Sequence, residues 1–125
     1  MQCKKGDKPK RVKKPTKTQL NKKADTEWSA LVKVLAGGRC EVCGTTQNLN
    51  SHHVFGRSNY KVRWDVHNGV CLCVGHHKFN REFSAHNTPT LFSEFIRLKR
   101  GEEWHQQLTV KARYINNVFQ QGDDK

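Results

Sequence analysis

Gly69-Val-Cys-Leu-Cys-Val-Gly-His-His77 is the stretch whose reading decides the fold. Its first half is a short apolar run of strand character, bounded by Asn68-Gly69. Its second half, Cys73-x-x-His76, has the spacing that lets a thiolate and an imidazole reach one tetrahedral ion as a strand turns into a helix. The run ends in a histidine doublet, and a second doublet lies upstream in Ser51-His52-His53-Val54. Neighbouring residues on a strand point to opposite faces, so each doublet can serve two different centres.

A matching half-site precedes both doublets in Cys40-Glu-Val-Cys43-Gly44, the tight turn of a zinc knuckle. Thiolate and imidazole donors together favour zinc over magnesium or calcium. Cys71 competes with Cys73 for the third place because both fall on one face of the strand. Cys73 is preferred, since it forms the half-site with His76, and Cys71 is then a small buried apolar residue. A site closed by Cys40, Cys43, Cys73 and His76 is structural, and it adds folding free energy to a domain with a modest core. Five cysteines, an odd number with Cys-x-x-Cys spacing, point to metal rather than disulfides. Cys3 reads as a spare thiol.

The chain has 125 residues and a formal net charge of +12. Its length suits one domain plus a tail. Residues 1–23 hold ten Lys/Arg and one Asp, with too few apolar side chains to offset the entropy of ordering them. They are expected to form a disordered basic arm drawn to polyanions, with Lys10, Arg11, Lys13 and Lys14 as nucleic-acid contacts. The domain is expected over 24–121, with 122–125 as a tail. No apolar stretch approaches the ~18 residues of a membrane span, and the N-terminus has no apolar secretory segment, so a cytoplasmic protein without membrane association is expected.

Around the metal half-sites, an α+β order emerges. Trp28, Leu31, Val32 and Leu35 recur at helical spacing and predict a helix over about 26–36, capped by Asp25 or Thr26 and stopped by Gly37-Gly38. Strands are expected over Asn50–Val54 and Val66–Leu72, and a helix from Cys73 to about Arg81 or Phe83. Thr88-Pro89 predicts a helix over about 89–100 carrying Leu91, Phe92, Phe95 and Leu98 inward. A last helix over about 102–118 would bury Trp104, Leu108, Ala112 and Ile115.

His52-His53, then Asn68, then His77, framed by Cys-x-x-Cys and Cys-x-x-His, resembles the zinc-stapled form of the HNH endonuclease motif. The resemblance covers about 40–89, and the run from His52 to Asn59 is similar to small bacteriophage HNH proteins. It implies a ββα-metal core, with His53 as general base and His52 and His77 binding a divalent Mg2+, Mn2+ or Ni2+. It further implies that Asn68 ties the hairpin and orients His53. Two positions depart from the family pattern: His76 stands where relatives carry a fourth cysteine, and Arg81 where many carry a further ligand. Ser84-Ala-His86-Asn87 resembles that last segment displaced by an insertion, making His86 a third ligand or a phosphate contact.

The loop between the strands is rich in basic residues, and Arg57, Lys61 and Arg63 read as substrate contacts, with salt bridges to Asp65 or Glu82 as the structural alternative. Trp64 reads as core, and His67 and His105 as exposed polar positions. The functional expectation is a metal-dependent endonuclease cleaving DNA with low sequence specificity or by structure, in phage DNA metabolism, with a recombination or packaging partner. RNA stays open as a substrate. The reading from a different class is a noncatalytic zinc-containing nucleic-acid-binding module.

Overall fold

The computed structural model describes residues 13–124, and side chains as far as residue 113. Lys10, Arg11 and Cys3 lie outside the described residues, as does the side chain of Ile115. The described residues form a small α+β fold with one two-stranded antiparallel sheet and three α-helices.

Helix α1 spans Lys17–Leu35 and therefore begins inside the stretch expected to be disordered. The physical reason is a complete capping box: the Thr16 hydroxyl accepts from Gln19 N, and the Gln19 side chain accepts from Thr16 N. Asp25 and Thr26, expected to cap the helix, stand inside it. Its end falls at the Gly37-Gly38 stop, where Gly38 N–H closes on the Lys33 carbonyl.

Strands β1 (Leu49–His53) and β2 (Gly69–Cys73) pair in the register His53↔Gly69, His52↔Val70 and Ser51↔Cys71. The stretch Val66–Asn68, expected to open the second strand, is one 3-10 turn capped by the Asp65 carboxylate, which accepts from His67 N. β2 runs into a wide helical turn, Gly75–Phe79, closed by Asn80 N–H on the Gly75 carbonyl five residues back. Helices α2 (Pro89–Arg100) and α3 (Glu102–Asp124) follow, the latter continuing past residue 118 into the expected tail.

The two faces of the hairpin carry different cores. Val70 and Leu72 pack with Phe92 and Ile96 of α2 on one face. Cys71 packs with Trp28 and Val32 of α1 on the other. Gly69 permits the second contact, because a Cβ there would lie 2.8 Å from Trp28 Cζ2 and collide with Val32. A third cluster, Val62 with Leu108 and Ala112, seats the inter-strand loop on α3.

Not every stripe residue is core. Leu31, Leu35, Leu91 and Leu98 are exposed. A sheet only two strands wide covers a narrow strip of each helix, so Trp28 and Val32, or Phe92 and Ile96, suffice to fill it. No helix of the described residues is long and apolar enough to cross a membrane.

Candidate metal centres and histidine cavity

The knuckle Cys40–Gly44 is a turn in which Gly44 N–H donates to the Cys40 carbonyl, with Gly44 at a φ of 77° that favours glycine. It faces the end of β2. The donor atoms of Cys40, Cys43, Cys73 and His76 all lie within 4.8 Å of one another. Cys73 Sγ is 3.2 Å and Cys40 Sγ 3.9 Å from His76 Nδ1, and Cys43 Sγ is 3.9 Å from Cys73 Sγ. Tetrahedral zinc with Zn–S of about 2.3 Å and Zn–N of about 2.0–2.1 Å sets S–N and S–S edges of about 3.5–3.8 Å, within a few tenths of an ångström of these separations, so the residues fit the ion.

The thiol chemistry agrees. Burial alone would raise the Cys40 pKa, yet the backbone N–H groups of Cys43, Cys73 and Val42 around its sulfur, with His76, bring it down to about 6. Cys71 belongs elsewhere: it is fully buried under α1, and burial pushes its thiol up. The third thiol of the cluster is therefore that of Cys73. The end of β2 turns it out of the Cys71 face, which residue parity alone could not show.

The doublet on β1 divides as strand alternation requires. His53 falls on the α1 face, where its ring stacks on Trp28 with centroids 3.8 Å apart and planes 7° from parallel. Its Nε2 lies 2.9 Å from the Arg63 carbonyl. A carbonyl can only accept, so Nε2 carries the proton and Nδ1 keeps a lone pair. Burial lowers the His53 pKa, which keeps the ring neutral near pH 7.

His52 falls on the α2 face, with its ring 5.5 Å from that of Phe92. There it meets His77 and His86, and the ligand nitrogens of the three lie within 4.8 Å of one another. His86 is placed by two backbone hydrogen bonds: Ala85 N–H donates to the His76 carbonyl and His86 N–H to that of His77. Ser84, Asn87 and Thr88 lock this turn, the Asn87 amide donating to the Lys78 and Asn80 carbonyls.

Nε2 of His77 and Nε2 of His86 approach to 3.1 Å. Two bare lone pairs repel at that distance, so the pair fits either a shared proton or a shared cation, whose N–N edges near 2.9–3.4 Å follow from bonds of about 2.0–2.1 Å. Burial, with His77 and His86 as neighbours, lowers His52 to about 3; burial and His86 lower His77 to about 4. Both are neutral donors at pH 7.

A cavity of about 710 Å3 holds these groups, lined by His52, His53, His77 and His86 with Asp25 and Arg57 at its wall. Asn68 sits behind it, fully buried: its Oδ1 accepts from Phe55 N at 2.7 Å, and its Nδ2 donates to the Phe55 and Val62 carbonyls. It thus fixes the loop that presents the Arg63 carbonyl to His53.

The expected basic contacts separate. Arg57 lines the cavity and makes no ion pair among the described residues. Lys61 Nζ donates to the Arg113 carbonyl of α3. Lys13 and Lys14 are exposed just before α1. Arg63 is not a surface contact: it is buried and grips Asp25 through Nε and Nη2 at 2.9 and 2.7 Å. Its partner is thus neither Asp65, which holds His67 and Lys111, nor Glu82. Trp64 is not core but partly exposed, with Nε1 donating to Asp25 Oδ1. His67 is exposed, whereas His105 is half-buried.

Sequence reasoning missed Trp28 as the platform under His53 and Asp25 as the anchor of Arg63. Each has an ordinary local role in the sequence, as core stripe or helix cap, and nothing local signals the long-range partner. Comparison with protein-family models, curated proteins and solved structures finds no match to this chain.

Proposed function

We propose that the chain is a metal-dependent HNH endonuclease hydrolysing phosphodiester bonds in DNA, with its hairpin and following turn as a ββα-metal core. The observation that carries this reading is the cavity itself: three imidazoles converge beside a fourth whose proton is tied up on a backbone carbonyl. A module that only binds nucleic acid has no use for such an arrangement.

In this reading His53 is the general base. Nδ1 takes a proton from the water that attacks phosphorus, while Nε2–H stays on the Arg63 carbonyl and holds the ring in place. The imidazolium so formed lies against the face of Trp28, which favours the positive charge. As the new P–O bond forms, the bond to the leaving oxygen breaks, and that oxygen gains a proton from solvent. Arg57 at the cavity wall is placed to hold the scissile phosphate through paired hydrogen bonds.

His52, His77 and His86 would hold a divalent cation, which supplies Lewis-acid stabilisation of charge on the phosphate and leaving oxygen. Imidazole ligands bring no negative charge, so the charge of the ion would be left for the phosphate to balance. A three-imidazole set favours nickel or another transition metal over magnesium. Cys40, Cys43, Cys73 and His76 would hold structural zinc, bringing the turn with His77 up to the strand with His52.

Supercoiled plasmid incubated with Mg2+, Mn2+ or Ni2+, beside a chelator control, tests this. Metal-dependent nicking should fall by about 10²–10⁴-fold in His53→Ala, the usual contribution of a general base, with zinc content unchanged. Binding without cutting on plasmid, single-stranded and RNA substrates would leave the noncatalytic zinc module as the function.

A further inference from the structure

Two large aromatic side chains stand exposed on the loop between the strands: Tyr60 at 52% and Trp64 at 36%. They are not loose. Their ring centroids lie 5.7 Å apart, and the Arg63 guanidinium lies 5.0 Å from one and 5.3 Å from the other. Arg63 is fixed by Asp25, which also accepts from Trp64 Nε1 at 2.9 Å. Asn21 of α1 donates to the Tyr60 hydroxyl at 3.4 Å. The rings are thus held from the protein side while their outer surfaces remain open.

The seat of the loop on α3 does not depend on the outer faces of these rings, because Val62, Asn59 on the Ala112 carbonyl and Lys61 on that of Arg113 supply it. What surrounds the rings is positive charge. Lys17 Nζ lies 6.0 Å from the Tyr60 ring, Lys13 and Lys14 precede it, and Arg57 and Lys61 flank Tyr60 in sequence. Of the neighbouring carboxylates, Asp25 is paired with Arg63, and Asp65, next to Trp64 in sequence, with Lys111.

The shelf is also continuous with the histidine cavity. Asp25 lines that cavity, and the residue whose guanidinium lies between the rings is the one whose carbonyl accepts from His53. An occupant of this surface must therefore offer flat π-faces and negative charge together. Single-stranded DNA does, because base stacking on aromatic side chains is sequence-tolerant and its phosphates answer the lysines. A duplex hides its base faces in its own stack.

We propose that Tyr60 and Trp64 form a stacking platform for unpaired bases of single-stranded DNA, placed to lead the adjoining backbone into the histidine cavity. The proposal rests on the nucleic-acid reading above and names its substrate class. Ring stacking supplies selectivity for unpaired nucleotides, and the lysines supply attraction common to all strands. The rings are pre-ordered, so binding costs them little conformational freedom.

The test is binding by the full chain without added divalent cation, read by fluorescence anisotropy. The probes are oligo(dT) of about 16 nucleotides, a length suited to one such groove, an abasic oligomer of equal phosphate count, a duplex of equal length, and oligo(U). Oligo(dT) should bind more tightly than the abasic strand. Tyr60→Ala and Trp64→Ala should each weaken oligo(dT) binding by about tenfold, within the range of roughly 5–150-fold per stacked base. Duplex and abasic binding should barely change.

Tyr60→Phe and Trp64→Phe retain a ring and should retain most of the affinity, and thermal unfolding of every variant separates lost stacking from lost fold. Alanine variants that bind oligo(dT) like the wild type, or that weaken on all probes equally, would overturn the platform. Tighter ring-dependent binding of oligo(U) would replace DNA by RNA. Plasmid nicking without ring-dependent preference sinks the platform and leaves the nuclease. Ring-dependent binding without cutting does the reverse.

Discussion

Asp25 shows how much one side chain can carry. It holds both donor nitrogens of the Arg63 fork and the Trp64 indole N–H, and Arg63 in turn presents the carbonyl that sets the His53 tautomer. The hydrogen bonds from Arg63, then that from Trp64, outweigh burial and hold the Asp25 carboxyl below its usual pKa. A depressed folded pKa means stability that is present above the unfolded value and lost as pH falls through the folded one. Asp25→Asn should be destabilised at pH 7 by on the order of 2–3 kcal/mol, toward or below the lower end of the cost of stranding a buried charge, because Asp25 is partly open to solvent. Denaturant unfolding from pH 7 to pH 3 checks it: the gap between wild type and variant should shrink below about pH 4. A gap constant with pH would show that the pair adds nothing beyond packing.

Among the elements, the end of β2 and the turn after it carry the most consequence. Within seven residues, Cys71 points to the α1 core, Cys73 and His76 to the cysteine cluster, and His77 to the cavity. Cys73→Ala should remove zinc and with it cooperative unfolding, since metal binding and folding are coupled in such sites. Cys71→Ala should keep one zinc per chain and cost only about 1 kcal/mol of packing, the order of a small core truncation. Zinc content by mass spectrometry together with thermal unfolding distinguishes them. Equal zinc loss in both variants would show that Cys71 shares the site.

For the molecule as a whole, charge and fold are unevenly distributed. The capping box at Thr16 and the bonds from Asn21 and Asp25 to the loop place residues 17–23 in the folded domain. A truncation that probes the basic arm should therefore stop before Thr16. Removing residues 1–14, which include seven Lys/Arg, should weaken DNA binding and flatten its dependence on salt by up to about 0.9 in log–log slope for each phosphate the arm had neutralised. The midpoint of unfolding should stay within a few degrees. Titration with duplex at several salt concentrations reads the slope, and an unchanged slope would show that these lysines do not touch DNA.

Elements whose information is local could be read from the order of amino acids alone. Cys-x-x-Cys and Cys-x-x-His are turn-scale spacings, so the cluster of Cys40, Cys43, Cys73 and His76 could be named from them, as could the hairpin and the helix after Thr88-Pro89. Strand alternation also says that the His52-His53 doublet must split. Relations between segments far apart in the chain needed the folded structure. That His86 joins His52 and His77 depends on a backbone pairing between residues 76–77 and 85–86 across an irregular loop. That Arg63 is an internal strut rather than a surface contact depends on an aspartate 38 positions upstream, on a helix whose true start was masked by its lysine-rich composition. Burial is likewise a property of what covers a face. The same helical stripe held Val32, which is core, and Leu35, which is not, because a two-stranded sheet is too narrow to cover both.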